Sequence, residues 1–133
     1  MKPLLLAGLL VAIAAPAAAQ DPGCFFVRDV GGRSVADTNT LYFGVLDKAH
    51  MTTKAYFRVK VTDCNVIAGS HSRAGPHGLF SVASEVPAPG AAAQVCSVKQ
   101  LKIWTGTSCH VESLEKLTPA EVAALPRGVK PSS

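Results

Sequence analysis

Residues 55–64 read AYFRVKVTDC, and the fold follows from how that stretch alternates. Phe57, Val59 and Val61 are interleaved with Tyr56, Arg58, Lys60 and Thr62. A period of two sends successive side chains to opposite faces of a strand, one toward a core and one toward water. The stretch therefore predicts a half-buried strand in a mostly β domain.

Working outward, the neighbouring segments have the same character. Residues 40–46, TLYFGVL, form an expected strand introduced by the turn-forming Asp37-Thr38-Asn39. Residues 25–30 form an expected first strand, closed by a turn at Gly31-Gly32. Downstream, residues 68–78 carry loop chemistry and residues 87–94, PAPGAAAQ, an exposed connection. Residues 79–86, 95–104 and 109–114 supply the fourth, fifth and sixth expected strands, the last two joined through residues 105–108. Thr118, Pro119 and Glu121 then spell a capping box with proline at the first helical position, so a short C-terminal helix follows and ends before Pro126. About six strands and one helix predict a small antiparallel curled sheet or barrel.

Three adjacent aromatic pairs, Phe25/Phe26, Tyr42/Phe43 and Tyr56/Phe57, must each turn one ring away from the core. Those outer rings either make an apolar patch for a partner or lie beneath the helix or a loop; the second is the expectation.

The N-terminus reads as a targeting segment. Met1-Lys2-Pro3 is a short basic opening, residues 4–15 are uninterrupted apolar sequence, and Pro16-Ala17-Ala18-Ala19 offers the small residues a signal peptidase accepts. Twelve apolar residues fall short of the roughly 20 a membrane-spanning helix needs. The expected organisation is a signal peptide over residues 1–19, a linker over 20–23, one domain over 24–125 and a flexible tail over 126–133. The expected location is the periplasm or the exterior of a bacterium. Without Lys2 the chain keeps 12 basic and 9 acidic residues, a net +3. These charges are scattered, which argues against a nucleic-acid partner.

Cys24, Cys64, Cys96 and Cys109 all lie beyond the leader. Cys24 does not follow the apolar run directly, because Gln20-Asp21-Pro22-Gly23 intervenes, so a lipid anchor is rejected. Gaps of 40, 32 and 13 positions lack the close C-x-x-C pairs of zinc and thioredoxin-like sites. GTSCH, residues 106–110, has Gly106 where a haem-attachment motif needs cysteine. A Cys109 nucleophile beside His110 would lack the geometry of a catalytic pair, and an oxidising compartment would consume its thiol. An even count in an exported chain predicts two disulfides, and four cysteines allow three connectivities. The expectation is Cys24–Cys109 with Cys64–Cys96, the first tying together the first and last strands of a sheet that curls closed.

The candidates for chemistry are few. His71 and His77 flank Arg73 in a glycine-containing loop and, with His50 or His110, are the weak candidates for a copper or zinc site. Neither G-x-S-x-G nor H-E-x-x-H occurs. Glu112 and Glu115 read as solvated charges, and Asp29, Asp37, Asp47 and Asp63 as turn and strand-end residues.

Four features occur in order: a cysteine opening a strand, VADTNTLYFGV (residues 35–45), a tyrosine-containing strand running into a second cysteine, and two cysteine-led strands before LTPAEVAAL (residues 117–125). In these the chain resembles the small exported bacterial proteins of domain-of-unknown-function family 6491, over residues 24–125. It departs from that pattern after Cys96, where Ser97-Val98-Lys99 stands in place of an acidic residue, and over residues 65–95. The resemblance implies an exported, disulfide-bonded, strand-rich domain and carries no activity with it. The functional expectation is a non-enzymatic binding or structural protein of the envelope, without a cofactor, whose partner is a protein or envelope component. The alternative is a periplasmic metal-binding or redox protein using His71, His77 and a cysteine.

Overall fold

A computed structural model describes residues 23–72, 79–85 and 93–131, with the backbone alone for His71 and Ser72. Its strands are β1 (Phe25–Phe26), β2 (Val30–Asp37), β3 (Thr40–Asp47), β4 (Thr52–Thr62), β5 (His71–Ser72), β6 (Ser81–Ser84), β7 (Gln94–Val95), β8 (Leu101–Trp104) and β9 (His110–Lys116), followed by helix α1 (Pro119–Ala123). Among the described residues they form an antiparallel five-stranded sheet in the order β5-β2-β3-β4-β9 and two-stranded ribbons β1-β7 and β6-β8. The mostly β architecture, the short terminal helix and two disulfides agree with the sequence reading.

The alternation in β4 does what its period requires. Val35, Leu41, Val59 and Leu114 stand opposite one another across four strands and make a buried row on the inner face. Phe43 pairs with Phe57 beside it, ring centroids 5.4 Å apart, and Phe25 of the first ribbon packs on both at 5.3 and 5.0 Å. Val95, Val82, Leu101 and Ile103 bring the ribbons' apolar side chains into the same core. Each large apolar side chain buried this way contributes about 1.5–3 kcal/mol, so the ribbons are held chiefly by this contact.

Several expectations are corrected. Gly31-Gly32 is not a turn: it lies inside β2, at a register shift between Val30 and Arg33. Glycine in a strand commonly marks such a bulge, and here a Cβ on Gly31 would come within 2.9 Å of Leu46. The expected first strand is interrupted by a 3-10 turn at Val27–Asp29, and the fifth by another at Val98–Gln100. The expected loop over residues 68–78 contains β5, whose approach is fixed by Val35 N–H donating to Ser70 O (2.9 Å) and Gly69 N–H donating to Val35 O (2.8 Å).

The disulfides join Cys24 to Cys96 and Cys64 to Cys109, not Cys24 to Cys109 and Cys64 to Cys96. Strand pairing explains the change. Phe25 faces Val95 across the β1-β7 ribbon, which sets the preceding Cys24 against the following Cys96. Thr62 faces His110 at the end of β4-β9, which brings together the two cysteines just beyond it. The first and last strands are not neighbours, so the premise of the expected pairing fails.

The tail expected to be flexible is seated on the molecule as far as Pro131. Pro131 is buried, and Val129 O accepts a hydrogen bond from the fully buried Ser34 hydroxyl. A buried hydroxyl without an acceptor would cost about 1–3 kcal/mol, so this contact fixes the segment from a distance of 95 residues. Among the described residues no helix is long and apolar enough to cross a membrane.

Candidate functional site

The outer face of the sheet carries its own row: Ser34, Tyr42, Arg58 and Glu115, opposite one another across β2, β3, β4 and β9. The Arg58 guanidinium is hydrogen-bonded to the Glu115 carboxylate, which raises the arginine's pKa, and Glu121 of α1 approaches it at 3.8 Å. Beside this row the Lys60 ammonium donates to the Thr40 hydroxyl at 2.7 Å. Most of the face's polar groups are thus paired, the buried Arg58 Nε being the exception, with Tyr42 buried among them.

α1 reaches this face because its start is locked. The Thr118 hydroxyl accepts from Glu121 N–H at 3.2 Å and the Glu121 carboxylate accepts from Thr118 N–H at 3.1 Å, the capping box read from the sequence. The Thr118 backbone bond holds the Glu121 carboxyl below its ordinary pKa. Leu117 N–H, donating to Tyr56 O at 2.8 Å, anchors the residue just before the cap to β4.

Between α1, the ends of β4 and β9, and the C-terminal segment lies an open groove of about 520 Å³. Its apolar lining is Ala55, Tyr56, Leu117, Pro119, Val122 and Ala123. Its remaining lining residues are three lysines: Lys54 from β4, Lys116 from β9 and Lys130 from the tail. The Lys130 ammonium stands 5.6 Å from the Tyr56 ring centroid, a cation–π contact that holds it at the groove. Among the described residues no carboxylate lines the groove and none of the three lysines is in an ion pair, though the charge of Lys54 helps hold the nearby Asp47 carboxyl low. The volume lies within the roughly 300–1,000 Å³ range of small-molecule sites.

This groove answers the question of the outward rings. Tyr42 and Tyr56 share the outer face, with Tyr42 buried and Tyr56 on the wall of the groove. Phe26 is separate from them, half-buried with the Arg28 guanidinium 4.9 Å from its centroid.

The candidates for metal binding are spread out. His71 lies in β5 opposite Ser34, its side chain undescribed, and His77 lies outside the described residues. His50 is bound to the Asp47 carboxylate at 2.8 Å in the β3–β4 turn, and His110 is exposed at the start of β9. Among the described residues no group of three or more His, Cys, Asp or Glu side chains is placed to hold a metal ion. Asp37 and Asp47 accept turn hydrogen bonds from Asn39 and Ala49 backbone N–H, the use expected of them. Glu112 is exposed, whereas Glu115 is committed to Arg58.

Sequence reasoning missed the three groove lysines. They stand 62 and 14 positions apart in the chain, and only the docking of the tail brings Lys130 to the other two. Comparison with protein-family models, curated proteins and solved structures finds no match to this chain.

Proposed function

We propose that this chain is an exported, non-enzymatic binding protein of the bacterial envelope, acting through the lysine-lined groove on a disulfide-stapled scaffold. The observation that carries the reading is the groove itself. It is an apolar-walled concavity lined by three lysines, built on β4 and β9, whose opposite ends are cross-linked by Cys64–Cys109. Two disulfides suit an oxidising compartment, and the leader-like residues 1–19 supply the route to it. The resemblance to domain-of-unknown-function family 6491 points to the same class of exported domain. In the metal or redox alternative the cysteine would have to be released by reduction, because all four are paired here.

The test is expression of the full chain in a Gram-negative host, with a photo-cross-linking residue at the exposed Ala123. The reading expects a periplasmic product beginning at Gln20 and about four daltons lighter than the reduced chain. It also expects a discrete cross-linked envelope species upon illumination. A cytoplasmic product with free thiols, or a cross-link pattern no different from one placed at Lys102 on β8, contradicts it.

A further inference from the structure

We infer that the groove takes a single-chain anionic amphiphile: an acyl chain along the apolar wall and an acidic head group among Lys54, Lys116 and Lys130. The inference deepens the proposed binding role and rests on it. Two observations select this ligand class.

The first is charge. Acidic side chains near the groove are already engaged: Glu115 and Glu121 by Arg58, and Asp47 by His50 and the β3–β4 turn. Three lysines drawn from three separate segments line one largely apolar groove whose lining, among the described residues, holds no carboxylate; Lys54 alone feels a nearby one, Asp47, and the Lys130 ammonium lies over the Tyr56 ring. Lysines brought together in this way repel one another mildly, and an acidic head group relieves that repulsion while its alkyl tail is taken out of water.

The second is the poverty of hydrogen-bonding groups on the wall. Apart from the lysines, the lining side chains among the described residues offer only the Tyr56 hydroxyl. An acidic peptide seated here would lay amide groups against alanine, leucine, proline and valine side chains, and desolvating an unpaired amide costs about 1–3 kcal/mol. An alkyl chain carries no such groups and gains about 0.8 kcal/mol for each methylene buried. The groove therefore favours a lipid-like anion over a peptide of the same charge.

The experiment is titration of the oxidised full chain with sodium dodecanoate below its micellar concentration, followed by methyl chemical shifts and calorimetry. Dodecyltrimethylammonium, dodecyl maltoside and a hexaglutamate peptide serve as probes that vary charge or chain. Dodecanoate should perturb the methyls of Ala55, Leu117, Val122 and Ala123, and bind at least tenfold more tightly than the cationic or neutral dodecyl probe. Changing Lys54, Lys116 and Lys130 together to glutamine should weaken dodecanoate at least tenfold while the methyl shifts of the inner core stay in place, the melting temperature falling only slightly with loss of the Lys130–Tyr56 contact. Should the triple variant misfold, Val122→Glu, on the half-buried face of α1, should by itself abolish the shifts. Equal binding of all dodecyl probes, shifts centred elsewhere, or binding of hexaglutamate in preference to dodecanoate would overturn the inference. If dodecanoate fails while Ala123 still cross-links to an envelope species, the ligand class is wrong and the binding role survives. If both fail, the proposed function falls as well.

Discussion

The two faces of the five-stranded sheet are closed by different means. The inner face is a continuous apolar surface, Val35-Leu41-Val59-Leu114 with Phe43 and Phe57 beside it, covered by two ribbons, of which β1-β7 is closed by Cys24–Cys96. The outer face is polar and aromatic, closed by a five-residue helix and a tail that reach it through single contacts: Ser34 to Val129, Lys130 to Tyr56, Glu121 to Arg58. Burial of area holds the first. The second depends on a few directional bonds, and the groove opens where they stop.

That contrast ranks the effects of mutation. Phe43→Ala, which removes a fully buried ring stacked on Phe57, should cost about 3–5 kcal/mol in urea unfolding of the oxidised protein. A cost below 1 kcal/mol would mean that the inner face is not the core. Replacing Cys24 and Cys96 together by serine should cost about 2–4 kcal/mol. The bridges span 72 and 45 positions, and loop closure alone makes the longer one worth only about 0.4 kcal/mol more. A deficit confined to one pair would show that local packing, rather than chain entropy, sets their value.

On the outer face the expected costs are smaller. Ending the chain after Leu125 strips Ser34 of its acceptor and Tyr56 of its cation, and should cost about 1–3 kcal/mol. Thr118→Ala, which breaks the capping box, should cost about 1 kcal/mol and lower the helical signal.

The smallest effect is on pH dependence. The folded pKa of Glu121 is depressed by the Thr118 backbone. Its stabilising contribution is complete above the ordinary glutamate value and is lost as pH falls through the lowered folded value. Glu121→Gln should therefore lose stability relative to the parent near neutrality, with the two curves converging in acid. Asp37, held low by the Asn39 backbone, and Asp47, held low by His50, remain in both proteins, so the difference isolates Glu121. A gap that widens in acid would reverse the sign assigned to Glu121.

The contrast between faces also explains what the sequence could show. The alternation through Phe57, Val59 and Val61 and the Thr118–Glu121 box are local patterns, and both survive intact in the fold. Gly31-Gly32 misled because glycine gives no face to read. Its position inside β2 is set by Leu46, fifteen residues away. Nor does any local pattern announce Arg33, which is buried, donates to Gly31 O at 3.0 Å, and stands 6.0 Å from the Phe80 ring centroid. Disulfide connectivity was hidden because it depends on which strands pair, and β1 chose β7. The tail was hidden for the same reason: nothing in PRGVKPSS, residues 126–133, announces that Ser34 needs an acceptor. The groove inherits that blindness, since one of its lysines arrives with the tail.

The most direct test of this account is a nuclear Overhauser measurement on the oxidised mature chain, examining the contacts of Lys130 and Val129. Docking of the tail predicts cross-peaks from the Lys130 methylenes to the Tyr56 ring, ring-current shifts of those methylenes, and proximity of Val129 to Ser34. Random-coil shifts and absent cross-peaks for residues 126–131 would contradict it, leaving the outer face open and the lysine-lined groove without one of its walls.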